Sequence, residues 1–141
     1  MRHLCKWLAL AICGVLAVLT ILLVLPGLFG IHPLIVQSGS MEPVYPKGSM
    51  VYIRNTDPSG LSEGSTVTFH LADGETLVTH RITQIDMERE EIYTKGDANE
   101  LEDGAAISFA QVEGVPFFCI PYLGYLAGYL SSMAGKAGIV L

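Results

Sequence analysis

The chain has 141 residues, half of them hydrophobic and only 16% charged, with a formal net charge of −6. That charged share is well below the roughly 25% usual for soluble domains, and the acidic balance argues against nucleic acid as a partner. All fourteen acidic residues fall between Glu42 and Glu113, whereas residues 1–41 carry only Arg2 and Lys6 as formal charges. This is the profile of an acidic, water-facing domain joined to a membrane segment. Cys5, Cys13 and Cys119 have neither metal-ligand spacing nor the look of a disulfide framework. They read as small apolar residues in or near a membrane, and no metal or cofactor is expected.

Residues 8–25 contain no charge and no proline. A helix of that length spans about 27 Å, close to the hydrocarbon core of a bilayer. Arg2, His3 and Lys6 precede it and Trp7 sits at interfacial depth. The positive-inside rule then puts the N-terminus in the cytoplasm and everything after Pro26 outside, or in a lumen if the membrane is internal. A cleaved signal peptide is the competing reading. The apolar run is long, however, and the Pro-Gly-Leu-Phe-Gly-Ile-His-Pro stretch after it lacks a good small-x-small site. Residues 1–30 are therefore read as an uncleaved anchor.

Pro26, Gly27, Gly30 and Pro33 break the helix. A short apolar strand at residues 34–37 leads into Val36-Gln37-Ser38-Gly39-Ser40-Met41-Glu42-Pro43. Only fourteen residues separate Leu25 from Ser40, which keeps this stretch close to the membrane. Further strands are expected at residues 49–54 and 66–69. Another follows the Asp73-Gly74 hairpin signal at residues 76–85, and one more comes after a charged turn, at residues 92–95. No long helical period occurs between residues 34 and 115. The fold expected is mainly β, with a small all-β domain over residues 31–115. From residue 115 apolar character returns, and Gly124, Gly128 and Ser132 recur every fourth residue, a stripe that permits close helix packing in lipid. Lys136 interrupts this stretch. Residues 116–141 are read as a C-terminal, membrane-associated segment. Phe29, Ile31, Phe117 and Phe118 either dip into lipid or pack in an ordinary core.

Taken alone, the Ser/Gly stretch around Ser40 reads as a turn. A serine becomes a nucleophile only when a base takes its proton, and a histidine base needs an orienting group. His32, His70 and His80 are the histidine candidates, and composition does not choose among them. Lys47 and Lys95 lie in polar, turn-like surroundings that do not suit a desolvated lysine base. Acid candidates cluster in residues 95–104, which hold Asp97 and Asp103.

Three motifs occur in order: Ser38-Gly39-Ser40-Met41-x-Pro43, Thr79-His80-Arg81-Ile82 and Lys95-Gly96-Asp97-x-Asn99. Together, behind an N-terminal anchor, they resemble a type I signal peptidase (peptidase family S26). A histidine before Arg-Ile marks the branch of the endoplasmic reticulum, archaea and some Gram-positive bacteria of the sporulation and biofilm-associated type. Pro121-Tyr122-Leu123-Gly124-Tyr125 resembles the segment before the second membrane helix of Gram-positive members. The resemblance implies a LexA-related, signal-peptidase-like β-fold. It also implies that Ser40 is the nucleophile, His80 the general base and Asp103 the triad acid. Asp97 would be a supporting or alternative acid. Ser38 and the Ser40 backbone N–H would form the oxyanion hole. The implied activity is endoproteolysis of signal-peptide-bearing preproteins after small-x-small sites at a lipid membrane, by a serine hydrolase of protein secretion, with accessory membrane subunits as partners in some members. A histidine base stops working once protonated, so activity is expected to fall on acidification.

Gly48-Ser49 and Gly64-Ser65 stand where many members have Gly-Asp, and Ala98 where Asn is common. Arg81 either tunes the nearby acids or forms a scaffold ion pair. Two rival readings are a membrane-anchored β-domain without catalysis, acting in binding or assembly, and a self-cleaving regulator of the LexA type. The latter class uses a Ser/Lys pair and a DNA-binding domain, and neither is evident.

Overall fold

The computed structural model describes residues 2–138. Helix α1, Arg2–Leu23, is a 22-residue apolar rod, about 33 Å long at the rise of an α-helix. None of the apolar window within it is buried, and among the described residues it is the one helix long and apolar enough to cross a membrane. A 3₁₀ turn, Leu25–Phe29, follows and ends at Gly30 in the left-handed region.

Seven strands then form one antiparallel sheet: β1 (Ile31–Ile35), β2 (Met50–Arg54), β3 (Thr66–His70), β4 (Leu77–Asp86), β5 (Glu91–Lys95), β6 (Ile107–Ser108) and β7 (Val112–Ile120). Their spatial order is β1-β2-β7-β3-β4-β5-β6. Bulges at Tyr52/Ile53, Thr68/Phe69 and Ile82/Gln84 interrupt the register and bend the sheet. Leu61, Val67, Phe69, Ile82, Ile92 and Ile107 form the main core. Helix α2, Leu123–Gly138, closes the described chain.

The mainly β class read from the sequence is the architecture observed, but several boundaries move. The strand expected at residues 34–37 is β1, Ile31–Ile35. Pro33 does not exclude it, because β1 lies at the sheet edge, where a residue without an N–H is tolerated. The apolar run from residue 115 begins inside β7, which lies between β2 and β3. The boundary expected between residues 115 and 116 therefore falls within a central strand. A continuous apolar run suits a sheet interior as well as a membrane, and periodicity alone cannot separate the two. The strand β6 is too short to leave a pattern.

Gly124, the first residue of the small-residue stripe of α2, packs against the sheet domain. Gly124 is buried, and a Cβ there would stand 2.6 Å from the Ser49 carbonyl oxygen and 2.9 Å from Ile35 Cγ2. Tyr125 N donates to the Gly48 carbonyl at 3.2 Å. Gly48 has φ +82°, and a Cβ on it would overlap the Tyr125 ring. The first turn of α2 thus seats on the Gly48–Ser49 corner. Of the segment expected to be membrane-associated, residues 139–141 lie outside the described residues.

Two fastenings place the motif stretch. Val36 N donates to the Ser49 carbonyl and Gly48 N to the Val36 carbonyl, both at 2.9 Å, pinching the β1–β2 loop at its base. The loop projects from the sheet edge and carries Ser38, Ser40 and Met41. The Tyr52 hydroxyl donates to the Leu22 carbonyl at 2.8 Å, tying the end of α1 to β2.

Candidate active site

Side chains alternate between the two faces of a strand, so successive residues of β4 point in opposite directions. His80 points inward. It is 8% exposed and meets the Phe69 ring edge-on, with ring centroids 6.4 Å apart. Its Nε2 lies 3.2 Å from Ser40 Oγ and its Nδ1 2.5 Å from Asp103 Oδ2. The three residues come from distant parts of the chain: the β1–β2 loop, the middle of β4, and the segment between β5 and β6.

An ionised carboxylate can only accept hydrogen bonds, so we assign the proton to Nδ1. In the neutral ring Nε2 is then free to accept from the Ser40 hydroxyl. Asp103 is itself held twice by β5. Its N–H donates to the Thr94 carbonyl at 2.9 Å, and the Thr94 hydroxyl donates to its Oδ2 at 2.6 Å. Thr94 is 1% exposed and was not singled out from the sequence, where nothing distinguishes it from any strand threonine.

The Ser40 backbone is fixed by the Lys95-Gly96-Asp97-Ala98-Asn99 turn. Ala98 N donates to the Ser40 carbonyl at 2.9 Å, and Asp97 N donates to the sulfur of the buried Met41 at 3.4 Å. A Cβ on Gly96 would stand 2.7 Å from the Ser40 carbonyl oxygen. Only glycine allows this approach.

Asp97, the other acid candidate, is bonded to Arg81 and not to His80. Its two oxygens receive Arg81 Nε and Nη2, each at 2.7 Å, while Arg81 Nη1 donates to the Gly64 carbonyl at 2.7 Å. The guanidinium holds the Asp97 carboxyl below the usual carboxylate range, chiefly through these hydrogen bonds. Arg81 therefore pins Asp97 to the turn before β3, the scaffold role among its two readings. Ser38 Oγ lies 3.2 Å from Ser40 Oγ. His70 is elsewhere, at the end of β3, with its Nε2 3.1 Å from Glu113 Oε2. His32 is exposed on β1.

A groove of about 570 Å³ opens beside Ser40. Leu34, Val36 and Ser38 contribute from the β1 side, and Glu75, Leu77 and Thr79 from the β4 side. Thr79 is tied to Thr68 of β3 by a 2.7 Å hydroxyl–hydroxyl hydrogen bond.

A seven-stranded β-domain thus follows an apolar N-terminal helix, and a serine, a histidine and a carboxylate meet beside a groove. Comparison with known proteins sharpens this. The chain is 40% identical over 86 residues to signal peptidase I W of Bacillus subtilis, covering 59% of this chain and 45% of that protein. It is 35% identical over 72 residues to the signal peptidase complex catalytic subunit sec11 of Dictyostelium discoideum, covering 49% and 40%. It is 31% identical over 72 residues to the human signal peptidase complex catalytic subunit SEC11C, covering 49% and 38%. No family model matches the chain. The chain is thus similar to proteins named signal peptidase, and it spans less than half the length of each relative named.

Proposed function

We propose that the chain is a membrane-anchored serine endopeptidase that removes signal peptides from exported preproteins after small-x-small sites. The observation that carries this reading is the unbroken path Ser40–His80–Asp103 at the edge of a groove of about 570 Å³. Kinship with proteins named signal peptidase supports the substrate class. Residues 1–30 act as anchor, with the N-terminus in the cytoplasm, and the β-domain works on the far side of the membrane. The tie between Tyr52 and Leu22 supports a site held close to the bilayer surface.

In this mechanism Ser40 Oγ attacks the scissile carbonyl carbon while its proton passes to His80 Nε2. Asp103 holds the imidazole orientation and stabilises the imidazolium. Ser38 Oγ and the Ser40 N–H donate to the oxyanion, each donor worth roughly 3–4 kcal/mol in comparable enzymes. His80 then gives its proton to the leaving amine, and the C–N bond breaks to leave an acyl-enzyme on Ser40. Water, giving a proton to His80, attacks the ester carbonyl; the C–Oγ bond breaks, the acid product leaves, and His80 returns the proton to Ser40 Oγ. Asp97 with Arg81 supports the turn that positions the Ser40 backbone. Accessory membrane subunits are a partner class suggested by the relatives named as complex subunits.

The test uses the full chain in detergent or lipid with one preprotein bearing alanine at the −1 and −3 positions. Cleavage at that site by wild type, lost in Ser40→Ala and His80→Ala, is the expected outcome. Cleavage unchanged in Ser40→Ala overturns the assignment. Binding of the preprotein without cleavage favours a binding module.

A further inference from the structure

We infer that Glu75 is a specificity residue of the groove, selecting for a cationic side chain about five residues before the scissile bond. This rests on the endopeptidase reading above and extends it. Among the described residues that line the groove, Glu75 alone carries a formal charge; the others are apolar, hydroxyl or amide side chains. The two walls, residues 34–38 and 75–79, both run in the chain direction toward Ser40 and His80. The groove therefore extends away from the catalytic cluster along one arm of a bound peptide. That arm is the acyl side, because the small −1 and −3 residues must be read next to Ser40 within the same groove.

Glu75 precedes His80 by five residues, and Thr76 leads directly into β4. At about 3.3 Å per extended residue this is at most about 16 Å, the reach of roughly five residues of an extended ligand lying along the wall. The Glu75 backbone is not free to drift. Asp73 Oδ1 accepts from Glu75 N at 3.0 Å and from Thr76 N at 2.9 Å, and the Thr76 hydroxyl donates to Asp73 Oδ2 at 2.6 Å. The Glu75 side chain is exposed, so a ligand cation can approach it with little desolvation. Such a pair contributes modestly to affinity, but a like charge opposite it is repelled, which produces discrimination.

The experiment compares synthetic peptides with alanine at −1 and −3 and glutamine, lysine or glutamate placed in turn at −4, −5 and −6. The full-length protein is assayed in detergent as wild type, Glu75→Gln and Glu75→Lys. Within each enzyme the readout is the ratio of kcat/KM for the lysine peptide to that for the glutamate peptide. We expect a ratio of about 3 to 10 for wild type at low salt, near one for Glu75→Gln, and below one for Glu75→Lys. The wild-type ratio should shrink toward one as ionic strength rises to about 1 M, where the Debye length is about 3 Å. A glutamine peptide cleaved by wild type, but with the same lysine-to-glutamate ratio in all three enzymes, overturns the assignment of Glu75 alone. A glutamine peptide that wild type does not cleave overturns the endopeptidase reading and this inference with it.

Discussion

His80 and Arg81 are neighbours on one strand, and each holds one of two aspartates from the same acidic stretch. His80 faces Asp103 and Ser40 on the inner side, where only 8% of the residue is exposed. Arg81 faces Asp97 on the other side, with its side chain 36% exposed. Strand alternation alone sends the two side chains to opposite faces. The permanent charge of arginine makes one pair a fixed clamp. The titratable ring of histidine gives the other the means to carry a proton in the mechanism we propose. Two equal-looking acids six residues apart thus acquire different roles from the partner each meets.

If this division holds, removing either acid should damage a different property. Asp103→Asn should reduce cleavage by about four orders of magnitude, since an amide there favours the wrong imidazole tautomer, with little change in thermal midpoint. Kinetics and a thermal melt on one preparation check both parts. Gly96→Ala should cost about a hundredfold in kcat, because the new methyl group drives the Ser40 carbonyl from its place. A rate equal to wild type would refute the close approach. Asp97→Asn should act mainly on stability, by about 1–3 kcal/mol, through loss of a charge-assisted bidentate pair. Its residual cleavage should exceed that of Asp103→Asn and recover on cooling. Thr94→Val should slow cleavage about tenfold, equivalent to about 1.4 kcal/mol, by freeing Asp103 from its hydroxyl partner. Thr94→Ser should restore most of that rate.

The smallest expected effect concerns pH. The Asp97 carboxyl is depressed in the folded state by its hydrogen bonds from Arg81. A depressed carboxylate contributes stability that is fully present above its unfolded pKa, near 4, and is lost as pH falls through the lower folded value. The gap in thermal midpoint between wild type and Asp97→Asn should therefore be constant above about pH 5 and narrow below about pH 4. A gap that stays constant down to pH 2 would show that the clamp does not depend on the carboxylate charge.

Parts of this arrangement were legible in the chain itself. The apolar N-terminal run, the alternating β-branched segments and the turn residues between them are local signals, and they led to α1 and to β2 through β5 with small shifts. The motif residues Ser38, Ser40, His80, Asp97 and Asp103 could all be named. Less local features escaped. The β7 strand was hidden because a buried central strand and a membrane segment both read as continuous apolar residues. The hydroxyl of Thr94 acquires meaning only because β5 runs beneath Asp103.

The sequence by itself determined the apolar N-terminal helix, the mainly β class and the order of the three motifs, since each depends on residues near one another along the chain. Only the tertiary structure decided which histidine meets Ser40, which aspartate meets that histidine, and that the Gly96–Ala98 turn grips the Ser40 carbonyl. Those contacts join residues 40, 80 and 103 across a folded sheet. Strand pairing and register place them together, and neither is written in any single stretch of the chain.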